Sequence, residues 1–285
     1  MILVTGATGT TGSEVVKQLA AAGVQVRALV RNPQKAAGLQ GSNVELVKGD
    51  LGEPGTLDAA FKGVTKLFLL TNGDPRQTEL QHNAIEAAKR NGVQHVVKIS
   101  ALGADANSPV SLARWHAQTE QELKSSGLKW TILQPHYFMQ NLMMSADTIK
   151  SQGAFYGAMK NGKVAMVDAR DIAAVAVKVL TTPGHEGKTY VITGPEGLSM
   201  DEVAQKLSAV LGKPVKYVDI SGEQFKQALT GAGVPEWMAS DLMNMNLFFG
   251  SGAAGTPDPS AQQITGASGR TFDAFARDFS GAFRS

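Results

Sequence analysis

The stretch Ile2-Leu3-Val4-Thr5-Gly6-Ala7-Thr8-Gly9-Thr10-Thr11-Gly12 decides the fold. An apolar, largely branched run leads into three glycines spaced Gly-x-x-Gly-x-x-Gly, and an alanine-rich amphipathic segment, Ser13 to Ala22, follows at once. Strand, tight turn, helix is the context that turns a glycine pattern into an expectation of dinucleotide binding. In such a turn, backbone N–H groups and a helix N-terminus meet a pyrophosphate, and Cβ atoms at the glycines would block the approach. Gly6, Thr8, Gly9, Thr10, Thr11 and Gly12 are therefore candidate cofactor contacts. The competing reading is a purely structural βα turn.

Working outward, strand and helix patterns alternate. Gln25–Val30, Asn43–Lys48, Lys66–Leu70, Gln94–Ser100 and Lys129–Gln134 read as strands, the last closed by Pro135. Ser13–Ala22, Thr56–Lys62, Thr78–Asn91 and Arg114–Ser126 read as helices, the last stopped by Gly127. Short, nearly all-apolar strands are buried on both faces, as in a parallel sheet covered by helices. The expected fold is α/β, a doubly wound parallel Rossmann-type sheet with a smaller C-terminal α/β lobe. Residues 1–135 form the dinucleotide-binding core. Residues 136–285 complete the sheet and form the smaller, substrate-binding lobe of one integrated unit.

In that second part, Phe138–Lys150 reads as a methionine-rich helix and Val164–Val167 as a short strand. Asp171 is placed to cap a helix over Ile172–Leu180. Thr189–Thr193 reads as a strand and Lys216–Val218 as another. Ser199 and Glu202 have capping-box spacing before a helix reaching Leu211. Helical patterns over Gly222–Thr230 and Pro235–Phe249 precede a Gly-, Ala-, Ser- and Pro-rich loop, Gly250–Gly269.

Composition narrows the function classes. Of 285 residues 43% are hydrophobic and 18% charged, as in globular proteins, and no apolar run approaches the roughly 18 residues needed to span a bilayer. No cationic segment precedes an apolar one at the start, so no signal peptide is expected. The absence of cysteine removes disulfides, thiolate metal sites and cysteine nucleophiles, and fits the cytoplasm. A net charge of +2 gives no general attraction to nucleic acid. His82, His95, His116, His136 and His185 lack zinc-type spacing, so no metal is expected. Oligomeric state is not legible.

The second strand bears on the choice of cofactor. A Rossmann sheet that binds NAD carries an acid about 20 residues past the glycines to accept from the ribose 2′-hydroxyl. Here that position is Arg31, Lys35 follows one turn later, and no acid lies between Val24 and Gln40. A guanidinium grips a 2′-phosphate that a carboxylate would repel, so NADPH is favoured and NADH expected to bind more weakly. Arg31 as an ordinary solvated strand-end charge is the alternative. Gly49-Asp50-Leu51 places Asp50 and Leu51 at the adenine edge, with Asp50 equally suited to forming a turn.

These residues resemble the NmrA-like group of atypical short-chain dehydrogenases. That group includes NADPH-dependent quinone reductases and triphenylmethane- and azo-dye reductases. The resemblance covers nearly the whole chain. It rests on Val4 to Gly12, Val30-Arg31-Asn32-Pro33, Gly49-Asp50-Leu51, Ser125 to Pro135, Phe138-Met139-Gln140-Asn141 and Asp168 to Ala173. It implies that Pro135, His136, Tyr137, Phe138 and Asn141 lie beside nicotinamide and substrate. By the same resemblance Thr71 and Asn72 lie beside the cofactor's ribose and phosphates, and Ser100 also contacts the cofactor.

One departure matters for chemistry. Most short-chain dehydrogenases carry Tyr-x-x-x-Lys on the helix before the sixth strand, and here those positions are Leu112 and His116. That argues against alcohol–ketone interconversion by a tyrosine proton relay. His116 matches the histidine of the quinone-reductase-like members. It could hydrogen-bond the ribose, supply a proton, or be a surface residue beside Trp115. His116, Tyr137 and Asn141 are the candidate catalytic residues. Hydride transfer to a quinone, a triarylmethane dye or an azo dye remains feasible, since such acceptors stabilise their own developing charge. Met139, Met144 and Phe155, with Met143, Tyr156 and Met159, suit a flat aromatic ligand, although helix-spaced residues of this kind are commonly core. The expectation is thus an NADPH-dependent reductase of small aromatic electron acceptors. The alternative is a non-catalytic NADP(H)-binding redox sensor, which would also lack the tyrosine and lysine.

Overall fold

The computed structural model describes residues 1–284. Its first half runs β1 (Ile2–Val4), α1 (Thr10–Ala21), β2 (Val26–Val30), β3 (Val44–Lys48), α2 (Leu57–Phe61), β4 (Lys66–Leu69), α3 (Gln77–Arg90), β5 (His95–Ile99), α4 (Ser111–Ser125) and β6 (Lys129–Pro135). Then follow α5 (Ala146–Gln152), β7 (Ala154–Gly157), α6 (Ala169–Thr181), β8 (Lys188–Ile192), α7 (Met200–Leu211) and β9 (Lys216–Asp219). The chain ends with α8 (Gly222–Gly231), α9 (Glu236–Gly250), α10 (Ser260–Thr265) and α11 (Phe272–Asp278).

Seven strands form one parallel sheet in the order β3-β2-β1-β4-β5-β6-β8. This is the doubly wound arrangement read from the sequence. Its order reverses between β1 and β4, where Leu3 pairs with Arg27 on one side and Leu67 on the other. Alternation along the strands divides the core in two. Val4, Phe68 and Val97 pack with α1 and α6, whereas Leu3, Leu67 and Val96 pack with α2, α3 and α4 through Phe61, Ile85 and Leu123. Both faces are buried, which is why these strands carry apolar residues at consecutive positions.

Part of the second half returns to this sheet, β8 pairing with β6 and α6 packing on α1. The remainder builds around a two-stranded parallel sheet, β7 with β9, and a third core containing Ile149, Phe155, Leu207, Phe272 and Phe275.

The structure corrects four details. The cap of α6 is Asp168, in extended conformation with its side chain accepting from the Arg170 N–H, and not Asp171. Asp171 lies inside the first turn and is held by Arg270 through its guanidinium and backbone N–H. Residues Val164–Val167 form only isolated bridges to Leu198, Ala254 and Phe138, because no partner runs alongside long enough for a ladder. Met139–Ser145 is a 3-10 helix, with α-helix only from Ala146. The stretch Gly250–Gly269 contains α10.

Candidate active site

The loops at the C-terminal ends of β1, β4, β5 and β6 converge on one cavity of about 850 Å³, which α9 borders from the other side. This lies at the point where strand order reverses, the usual ligand crevice of an open α/β sheet. Its volume is in the range of small-molecule and cofactor sites.

The three glycines of the first turn have different tasks. Gly6 has φ +61°, and a Cβ there would lie 2.9 Å from the Leu70 carbonyl. At Gly12 a Cβ would overlap the Gly6 carbonyl. Both are required by the fold. Gly9 alone lines the cavity, where a Cβ would meet nothing nearer than the Gly6 oxygen at 3.3 Å and Asn72 Oδ1 at 3.7 Å. Gly9 is also the N-cap of α1, no side chain caps that helix, and its first turn holds no acid. The N–H groups of Thr10, Thr11 and Gly12 precede the first helical acceptor pairing, so this end attracts a phosphate. Thr10, Thr11, Thr71 and Asn72 border the same cavity, whereas Thr8 is exposed outside it. These features fit a dinucleotide pyrophosphate.

Towards the sheet edge, Arg31 follows β2 directly and is exposed, and Lys35 is exposed in the following 3-10 turn. Asp50 accepts from the Gly52 N–H at 2.8 Å, so its carboxylate is engaged in turn formation. The Leu51 side chain is buried in the core and its carbonyl accepts from Asn83 at 2.8 Å. A cofactor contact at Leu51 would therefore come from its backbone N–H and not from its side chain.

The opposite wall carries His116, Ser100, Pro135, His136, Tyr137, Phe138 and Asn141. His116 is a half-buried wall residue, not a surface one. Its Nδ1 lies 3.2 Å from Gln77 Nε2 and 3.1 Å from Lys98 Nζ. Burial and then the Lys98 charge hold its pKa well below the ordinary value. Ser100 donates to Glu120 Oε1 at 2.6 Å, and Gln134 donates to the same oxygen at 2.8 Å. Burial pushes the Tyr137 hydroxyl up to about 12, with the Asn141 side chain pulling the other way, so this hydroxyl stays protonated at neutral pH and is able to donate. His136 stacks on Phe249 and accepts the Tyr137 N–H on Nδ1 at 2.6 Å. Burial lowers its pKa to about 4, keeping it neutral.

The methionine and aromatic cluster divides. Met144 borders the cavity, but Met139 and Phe155 are buried in the third core and line none of it. Phe155 packs on Tyr217 from β9, with ring centroids 5.4 Å apart. Helical and strand periodicity directed these two side chains inward, and their assignment to a substrate pocket is corrected.

Sequence reasoning overlooked Gln77, Lys98 and the whole contribution of α9, namely Asn244, Met245, Phe248 and Phe249. Lys98 did carry a signal, a lone cation inside the apolar strand Val96-Val97-Lys98-Ile99. Leu102, Met144 and Phe248 are apolar, exposed and on the cavity wall, so its rim suits an apolar ligand.

Among relatives, the chain is 48% identical to the NAD(P)H azoreductase of Xenophilus azovorans, over 99% of both chains. It is 36% identical to quinone oxidoreductase 2 of Escherichia coli (strain K12), over 87% of each. Among solved structures, the E. coli NADPH-dependent quinone oxidoreductase complexed with NADPH superposes with a TM-score of 0.90 at 32% identity, covering 98% of this chain and 99% of that one. The NmrA-like family matches residues 1–275, and with the shared fold this shows that the chain belongs to that family.

Proposed function

We propose that this protein is an NADPH-dependent reductase that transfers hydride to quinones or related aromatic acceptors, azo and triarylmethane dyes among them. The observation that carries this reading is the single cavity joining an uncapped, glycine-lined helix N-terminus to a rim of Leu102, Met144 and Phe248. Such a site holds a dinucleotide at one end and a flat apolar molecule at the other.

Gly9 and the first N–H groups of α1 would hold the pyrophosphate, with Thr71 and Asn72 beside the adjoining ribose and phosphates. Arg31, with Lys35, would meet a 2′-phosphate at the end of β2. A bound reduced nicotinamide supplies the hydride. The chain's own residues place the acceptor and donate to its oxygen or nitrogen: Tyr137 from a hydroxyl that stays protonated, Asn141 from its amide, and His116 from its ring. Leu112 stands where a tyrosine acid would be needed for alcohol chemistry. The part of the chain after residue 135, chiefly α9 and the segment after β6, would form the acceptor's side of the site. Names of relatives support the reading: an azoreductase and quinone oxidoreductases match along nearly the whole chain.

The test is NADPH oxidation with a panel of quinones and dyes, alongside calorimetric binding of NADPH. Turnover with at least one acceptor class is expected. Tight NADPH binding with no turnover by any acceptor would favour the redox-sensor reading and sink this one.

A further inference from the structure

Lys98 has no exposed surface, although its neighbours in β5 are the apolar Val97 and Ile99. Its Nζ donates to the Ile99 carbonyl at 3.2 Å and meets His116 Nδ1 at 3.1 Å. Gln77 Nε2 approaches the same ring nitrogen at 3.2 Å. An ammonium and an amide NH₂ only donate, so Nδ1 must be the acceptor and the ring proton must sit on Nε2. Nε2 has no protein partner among the described residues, and His116 is on the cavity wall.

The surroundings fit a group that changes charge at neutral pH. Burial lowers the Lys98 ammonium from 10.5 to about 7, Glu120 opposing and Lys124 adding to this. Glu120 is not free to pair with Lys98, because it already accepts from Ser100, Gln134 and Lys124. From the other packed elements, α3 presents the uncharged Gln77 and Gln81, and β6 presents Gln134.

We infer that Lys98 is the positioning residue for His116 and the source of its replacement proton: it fixes the Nε2–H tautomer toward the acceptor and reprotonates the ring from behind. This rests on the reductase reading. Addition of hydride to a quinone leaves an oxyanion. The Nε2–H bond breaks as the new O–H bond forms, while one Lys98 N–H bond breaks and an Nδ1–H bond forms. His116 ends neutral as the other tautomer and Lys98 ends as a neutral amine; the starting state returns when water protonates Nε2 from the cavity and the Nδ1 proton passes back to Lys98. Only the quinone is reduced and only the nicotinamide oxidised. Lys98 thus takes, from a neighbouring strand, part of the work of the missing helix lysine.

Two measurements test this. In the first, kcat at saturating NADPH and quinone is followed against pH. Wild type should lose kcat as pH rises through about 7, where Lys98 deprotonates. Lys98→Met should lower kcat by about tenfold or more below that pH and abolish the limb, with the NADPH KM within about twofold. In the second, two-bond ¹⁵N–¹H spectra of histidine-labelled wild type should show His116 as the Nε2–H tautomer, with its ring signals shifting as Lys98 titrates. A folded Lys98→Met protein with wild-type kcat and an unmoved limb overturns the inference. So does a His116 that carries its proton on Nδ1 in wild type, whether or not the variant folds. Absence of turnover by wild type itself would instead overturn the reductase reading.

Discussion

Asp241 of α9 accepts from the backbone N–H groups of Ser111 at 2.8 Å and Leu112 at 3.0 Å, so a side chain 129 residues away caps α4. Trp115 of α4 and Trp237 of α9 pack beside this cap with ring centroids 5.3 Å apart. The cap joins the helix that carries His116 to the helix that carries Phe248 and Phe249. Asp241 is nearly fully buried, so its loss would leave two helix N–H groups without an acceptor.

Asp241→Ala should therefore cost about 1–3 kcal/mol of stability, read from urea unfolding. It should also raise the acceptor KM several-fold, because α9 would no longer be fixed against α4. Unchanged stability would mean that water replaces the cap.

Gly9 and Gly12 should separate ligand from fold. Gly9→Val should remain folded yet lose NADPH binding by calorimetry, because its side chain would enter the space for the pyrophosphate. Gly12→Ala should lower Tm sharply, since its methyl group would overlap the Gly6 carbonyl. Equal melting of the two variants would contradict this division.

Arg31→Ala should weaken NADPH binding about ten- to hundredfold and leave NADH nearly unchanged, as expected for charge-assisted bonds of roughly 1.5–3 kcal/mol. Arg31 is exposed, so Tm should not move. An equal loss for both cofactors would move the 2′-phosphate elsewhere.

Phe248→Ala should raise KM for large aromatic acceptors and spare the NADPH KM, because Phe248 borders the cavity on α9, across from the glycine turn. Steady-state kinetics with small and large quinones would show whether the loss grows with ring area. A uniform effect on both substrates would place Phe248 outside the acceptor's path.

Acid should destabilise the fold in a defined window. Burial lowers both His95 and His136 from 6.5 to about 4. The unfolded chain takes up these protons below about pH 6.5 and the native chain does not until about pH 4. Stability present above the upper limit is thus lost as pH falls through that range, by on the order of 1 kcal/mol or more per histidine. Melting scans at stepped pH should show Tm falling, and His95→Gln should reduce the slope. A flat Tm between those limits would show that both rings take up protons in the fold as readily as in the unfolded chain.

The glycine turn, the alternation of apolar strands with helices and the Ser199 capping box were legible because each is written in neighbouring residues. Period, capping and turn chemistry act over a few positions, so sequence by itself determined the parallel sheet, the glycine turn that opens α1 and the exposed cation at Arg31. Capping choice failed locally only where two acids competed: Asp168 rather than Asp171 took the extended conformation that α6 required. The apolar rim of the cavity depended on tertiary structure. Met139 and Phe155 are as apolar as Met144, and only the packing of β7, β9 and the 3-10 segment buries the first two and leaves Met144 at the rim. Lys98 and His116 are 18 positions apart, and Asp241 is farther still from α4. Their meetings arise from strand register and helix docking, long-range contacts that no local pattern encodes. A charge's effect on chemistry depends on burial and partners, which is why the lysine in β5 became part of the site only in the folded chain.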